Sequence, residues 1–172
     1  MRKLNKLFLL IIVLIAGCTS FKSEKNELEF KPHVKQYLDL FLEYNEDLNP
    51  EDNTIRIDYR RLGENEYYLD IMSGMPVNAK LYFIDSKNPF CIGYYNEYIV
   101  FVLDSNNNVI ENECDRSNPF EEINPDEVIP VAYNGAVWSF KIRNKKMVDF
   151  SCQFCKPDST LIEQLKSIPI SE

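Results

Sequence analysis

The chain carries one histidine and five glycines in 172 residues. A single histidine leaves any Ser-His-Asp arrangement, and most metal-hydrolase sites, dependent on that one side chain. His33 lies beside Pro32, at the start of an expected helix, and reads as a surface residue at a helix terminus rather than a catalytic base. GxSxG, HExxH and P-loop patterns are all missing, and so few glycines provide no loop to cradle a phosphate. Long apolar runs are missing too. The longest, Leu7 to Ala16, has ten residues, whereas a helix spanning a bilayer needs roughly 20. Positive charge is scarce, with 19 Lys and Arg against 27 Asp and Glu. That balance excludes the basic footprint of a nucleic-acid binder and attachment to anionic lipid by charge alone.

What is present begins with an address. Arg2, Lys3 and Lys6 precede the apolar run, which ends at Gly17-Cys18. A charged start, a short apolar stretch and a small-residue exit describe a signal peptide. Ile15-Ala16-Gly17-Cys18 resembles the lipobox of bacterial lipoprotein precursors. The resemblance implies cleavage before Cys18 and acylation of that cysteine, so that residues 1–17 are a signal peptide and Cys18 carries a palmitate-type anchor. One acyl chain holds a protein only marginally and two or more hold it firmly, at about 0.8 kcal/mol per buried CH₂. Thr19 stands where such proteins carry an Asp when retained in the inner membrane, so the resemblance points to the outer membrane, facing the periplasm or the surface. Loss of residues 1–17 removes three cations and no acid, leaving a mature net charge of −11.

Residues 18–30, the lipidated cysteine and a polar, charged stretch, read as a tether. Residues 31–172 form one globular domain, long enough to bury a core. Val34, Leu38, Phe41, Leu42 and Leu48 recur near helical spacing between Pro32 and Asn49-Pro50. The period then changes to two. Ile55, Ile57 and Tyr59 alternate with Arg56, Asp58 and Arg60, and Tyr67, Leu69 and Ile71 form a partner strand across a turn near Gly63-Glu64-Asn65. Leu81 and Phe83 suggest a third strand. Tyr98 to Leu103, apolar on both faces, is expected to be a central strand. The turn Asp104 to Asn108 should return the chain through a strand over Val109 to Cys114. Asp115 to Glu127 reads as a polar loop. Val137–Ile142 and Met147–Cys152 predict a hairpin with a three-residue turn, Asn144-Lys145-Lys146, pairing Ile142 with Val148, Phe140 with Phe150 and Trp138 with Cys152. A short helix over Leu161–Ile168 ends the chain. The expected fold is α+β: an N-terminal helix packed on a roughly seven-stranded antiparallel meander or half-barrel, with a short C-terminal helix.

Four candidate chemistries follow from motifs. Cys91, Cys114, Cys152 and Cys155 are an even set beside Cys18, and in an oxidising compartment predict two disulfides. Of the three pairings, Cys91–Cys114 with Cys152–Cys155 is favoured; it requires a bend near Gly93 or Tyr95-Asn96. From Val148 to Pro157 the segment around Cys152-Gln153-Phe154-Cys155 resembles a thioredoxin active site, but only 17 residues remain after Cys155, too few for the rest of such a fold. A zinc site would need a second CxxC-like pair. Asp104-x-Asn106-x-Asn108 copies the opening of a calcium loop, with Val109 in place of the sharp-turn glycine, and Asn and Asp equally suit a turn. Glu121, Glu122, Asp126 and Glu127 read as a solvated acidic loop rather than a catalytic pair. Tyr67, Tyr68, Tyr94, Tyr95 and Tyr98 either line the core edge and sheet face or form a platform for a glycan or peptide.

The sequence therefore leads us to expect a lipid-anchored envelope protein without metal or cofactor, and a non-enzymatic module binding a protein, peptide or glycan. One alternative is an inhibitor or immunity-like protein directed at a basic enzyme or toxin, since complementary charge speeds encounter. The other is thiol–disulfide activity at Cys152 and Cys155.

Overall fold

The structure, a computed structural model, describes residues 26–75, 90–104, 106–114 and 135–170. The expected signal peptide, Cys18, the expected strand at Leu81 and Phe83 and the expected acidic loop Glu121–Glu127 lie outside them. The described elements are α1 (Pro32–Tyr44), β1 (Thr54–Gly63), β2 (Glu66–Met75), β3 (Phe90–Tyr95), β4 (Tyr98–Leu103), β5 (Val137–Arg143), β6 (Lys146–Gln153) and α2 (Ser159–Ser167).

The α+β class holds, but the antiparallel meander does not. The six strands form one mixed sheet in the order β3-β4-β1-β2-β5-β6, and β1 runs parallel to β4, with Thr54 opposite Ile99 and Ile57 opposite Val102. Among the described residues β3 and β6 are the two ends of the order, so the sheet is open rather than closed towards a barrel. β4 is interior, as its two apolar faces require.

One sheet face is apolar because alternate residues of every strand point the same way. Ile55 and Ile57, Leu69 and Ile71, Val100 and Val102, and Trp138, Phe140 and Ile142 are all at most 1% exposed. α1 covers them with Val34, Tyr37, Leu38 and Phe41, the i, i+3, i+4, i+7 stripe of an amphipathic helix. Tyr37 stacks on Phe140 with centroids 4.3 Å apart, and Phe41 meets Trp138 edge-on at 5.3 Å. α2 adds Leu161 and Leu165 to the same core.

Four local expectations are corrected. α1 stops at Tyr44 instead of reaching Asn49: Asn45 folds back so that its Nδ2 donates to the Phe41 carbonyl at 2.6 Å, and Glu46 and Asp47 would add negative charge to the negative end of the helix dipole. The tether ends short of residue 30, because Leu28 and Phe30 are buried. Residues 26–28 lie along β3, with Leu28 N–H donating to the Tyr94 carbonyl and Tyr94 N–H to that of Asn26. Gly93 permits this approach, since a Cβ there would stand 2.5 Å from the Asn26 oxygen. Val109–Cys114 does not pair with β4; Lys31 N–H donates to Val109 and Glu111 N–H to Glu29, so the N-terminal segment takes that edge. Finally, the β5–β6 turn has two residues, not three. Asn144 and Lys145 both have positive φ, the primed turn that suits twisted strands. Val148 is the extra residue of a bulge and is half exposed, so Met147 faces Ile142 while the Phe140–Phe150 and Trp138–Cys152 pairs stand as expected.

Candidate functional site

The cysteines pair as Cys91–Cys114 and Cys152–Cys155, each with Cα atoms 5.8 Å apart, inside the range a disulfide needs. The bend required by the first pair falls at the second of the two expected places, Tyr95-Asn96: it is a β3–β4 hairpin turning through Asn96 and Glu97 at positive φ. Cys91 and Cys152 lie on the two end strands of the sheet, roughly 24 Å apart at strand spacing, so the four sulfurs do not converge on one ion. The Asp104 carboxylate is occupied by its own loop: it accepts from Asn106 N–H at 3.1 Å, Val109 N–H at 2.9 Å and Asn108 Nδ2 at 2.7 Å. The calcium-like spacing is thus an Asx turn that seats a buried aspartate.

The five tyrosines do not form one platform. Tyr95 is buried against Phe30, with its hydroxyl donating to Asp39. Tyr98 donates to the Leu48 carbonyl at 2.8 Å. Tyr68 lies on the other sheet face, between the cations of Arg60 and Lys141 at 5.1 and 5.7 Å. Tyr67 pairs instead with Tyr59, centroids 4.8 Å apart.

Among the described residues, two concavities lie at the ends of α1, about 20 Å apart along its axis. A cleft of about 730 Å³ lies at the C-terminal end. Glu43, Glu46, Asp47 and Tyr44 form its wall, with Ser73 and Ala136 on its floor. The last turn of α1 carries no basic residue, so the carboxylates and the negative end of the helix dipole act in the same direction. Burial, Asp158 and Glu43 all push the Tyr44 hydroxyl pKa upward. Tyr44 also tilts against the chain's one tryptophan, Trp138, at 6.1 Å. Ser73 is fully buried, and its Oγ has no hydrogen-bond partner.

A smaller cavity of about 250 Å³ lies at the N-terminal end, among Lys31, His33, Tyr59, Tyr67 and Lys145. His33 is not the surface residue its position implied: it is 3% exposed. Pro32 and Lys31 carry the chain in from the buried Phe30, which turns the first helical residue after the proline inward. Its Nε2 stands 3.3 Å from the Tyr67 hydroxyl, and its Nδ1 has no partner. Burial first, and the nearby Lys31 ammonium second, lower its pKa to about 4, so the ring is neutral at pH 7. Burial likewise raises the Tyr67 hydroxyl far above its usual value.

Among the described residues four buried side-chain polar atoms have no partner: His33 Nδ1, Tyr37 Oη, Ser73 Oγ and Trp138 Nε1. Each such group costs about 1–3 kcal/mol. Tyr37 and Trp138 are enclosed by aromatic rings of the core, whereas His33 and Ser73 line the two concavities. Sequence reasoning passed over both places. The available signal was the order of charges, with Lys31 before the helix and Glu43, Glu46 and Asp47 at and after its end, the reverse of what a helix dipole favours.

Comparison with protein-family models, with curated proteins and with solved structures finds no match to this chain.

Proposed function

We propose that this chain is a lipid-anchored cell-envelope protein whose domain binds a basic protein partner through the cleft at the C-terminal end of α1. The anchor rests on Ile15-Ala16-Gly17-Cys18 and the charged, apolar leader before it. The first described residue, Asn26, is eight residues beyond Cys18, so the tether reaches at most about 28 Å. The domain therefore works close to its membrane.

The observation that carries the binding reading is the cleft itself. Glu43, Glu46 and Asp47 surround a floor holding a buried, unpaired Ser73 hydroxyl, with no basic residue in the helix turn above them. An arginine or lysine side chain matches the cleft wall: its charge meets the carboxylates and its cation lies beside the Tyr44 ring. A mature charge of −11 steers such a partner from a distance. This favours a module of the inhibitor or immunity class, acting by occupancy rather than turnover.

The anchor is tested by mass spectrometry of the chain made in a bacterial host, in which acyl chains on Cys18 are expected and Cys18→Ser leaves the protein in the soluble fraction. The binding reading is tested with an arginine-rich peptide, followed by the fluorescence of Trp138. Binding that weakens with salt, and at least about tenfold on neutralising Glu43, Glu46 and Asp47 together, is the expected outcome. Equal binding by the neutralised domain would contradict it. A second reading, thiol exchange, draws support from the partly exposed Cys152 and Cys155 flanking Phe154, which is 74% exposed. Cys152→Ser with Cys155→Ser leaves peptide binding unchanged on the favoured reading.

A further inference from the structure

We propose that Cys152 and Cys155 form an exchangeable disulfide that oxidises a dithiol carried by another protein, and that Phe154 between them sets its lability. This rests on the thiol-exchange reading and adds its direction and its substrate. It is independent of the acidic cleft.

Phe154 breaks two rules at once. Its φ of 62° lies in the left-handed region, which a bulky side chain enters at a cost. Six non-glycine residues among the described ones have positive φ. Asn96 and Glu97 turn one hairpin, Asn144 and Lys145 turn another, and Asn107 lies in the loop that Asp104 closes. Phe154 is the one aromatic of the six and belongs to no hairpin turn. It is also 74% exposed, more than any other large apolar side chain among the described residues, so burial offsets little of its cost. The chain has to turn between the two cysteines, and it turns at Phe154. A strained backbone held at an exposed position points to a function there.

The two disulfides differ accordingly. Cys91 is 2% exposed, and its bond to Cys114 joins residues 23 apart in the sequence. Cys152 and Cys155 are partly exposed, lie at the end of the terminal strand β6, and are 3 apart. A disulfide restrains the unfolded chain less when the loop it closes is shorter, so the second bond does the less for the fold. Access and backbone strain make it the more readily reduced of the two. The exposed Phe154 ring gives an apolar contact to a protein whose thiols approach the pair.

The exchange balances within the two molecules. A thiolate of the partner attacks one sulfur of the pair, the Sγ–Sγ bond breaks, and the other cysteine leaves as a thiolate and takes up a proton. The partner's second thiolate then attacks its own sulfur in the mixed disulfide and releases the second cysteine. Two electrons and two protons pass to Cys152 and Cys155, and the partner is left as a disulfide, one dithiol being oxidised per chain.

The test equilibrates the full-length protein, in detergent and without oxygen, with mixtures of reduced and oxidised dithiothreitol. Free thiols are alkylated and located by mass spectrometry, while Trp138, opposite Cys152 in the ladder, reports the opening by its fluorescence. Cys152–Cys155 is expected to open at a reduced-to-oxidised ratio at least about tenfold lower than Cys91–Cys114. Phe154→Asn, which keeps the turn in a residue at ease with positive φ, should raise the ratio needed at least about threefold. A reduced two-cysteine peptide with leucines beside its thiols should react at least about threefold faster than one with serines there. A wild-type pair that stays closed, or opens only together with Cys91–Cys114, would overturn the thiol reading and the proposal with it, whether or not the variant folds. A pair that opens alone, but at the same ratio in Phe154→Asn or at equal rates with the two peptides, would overturn the role given to Phe154 and leave thiol exchange standing.

Discussion

The two helices treat their ends in opposite ways. α2 begins at Asp158, whose carboxylate accepts the Leu161 N–H at 2.8 Å, and carries Lys166 in its last turn. Acid at the start and base at the end are what a helix dipole favours. α1 has Lys31 at its cap, no acid in its first turn and no base in its last, and carries acids beyond its end. It is nonetheless the more deeply packed helix, with Val34, Tyr37, Leu38 and Phe41 all at 0% exposure. α1 is held by its stripe and not by its ends, which leaves those ends free to carry charge of the wrong sign for stability. Local rules are broken in native proteins chiefly at functional places, and here both breaks coincide with concavities that hold a buried, unpaired polar atom.

Removing packing should affect both helices alike and sets the upper scale. Phe41→Ala is expected to cost about 3–5 kcal/mol and Leu165→Ala about 2–5 kcal/mol, measured by chemical denaturation. The next effect belongs to α1 alone. His33 titrates near 4 in the folded chain, because burial and then Lys31 disfavour its cation, whereas the unfolded chain takes up that proton near 6.5. Between those values the unfolded state binds more protons, so stability falls as pH drops from about 6.5 to about 4, by about 3 kcal/mol. His33→Gln should remove this component, seen as the difference between the two stability–pH curves. A wild-type curve parallel to that of His33→Gln would contradict the burial assigned to the ring.

Smaller effects sharpen the contrast in sign. Asp158→Ala removes the α2 cap and should cost about 1 kcal/mol. Lys31→Ser supplies α1 with the cap it lacks and should gain about 0.5 kcal/mol. Thermal unfolding of the two variants side by side checks both signs. A loss of stability in Lys31→Ser would mean that the lysine serves the fold.

Much of the fold was legible because burial dictates period. The α1 stripe, the β1–β2 pair, the interior β4 and the Phe140–Phe150 and Trp138–Cys152 pairs all follow from which residues must share a face. The parallel β1–β4 pairing was not legible, since β4 reads the same beside a parallel or an antiparallel neighbour. The Val148 bulge was missed because a bulge adds one residue without disturbing the apolar pattern on either side. The candidate sites were less legible still. His33 looked like a surface residue because position in a helix does not reveal rotation about its axis, and the Tyr59–Tyr67 pair depends on strand register. What the sequence did display was the reversed order of charge around α1, visible as Lys31 and then Glu43, Glu46 and Asp47.

The most direct test of the account compares stability with binding in one protein, Glu43→Gln with Glu46→Gln and Asp47→Asn. Thermal unfolding and titration with an arginine-rich peptide, followed through Trp138, are measured on the same sample. The account predicts unchanged or slightly raised stability, about 0–1 kcal/mol from relief at the helix end, together with at least about a tenfold loss of peptide affinity. Unchanged affinity, or a fall in stability that accompanies the loss, would show that these acids serve the fold and not a partner.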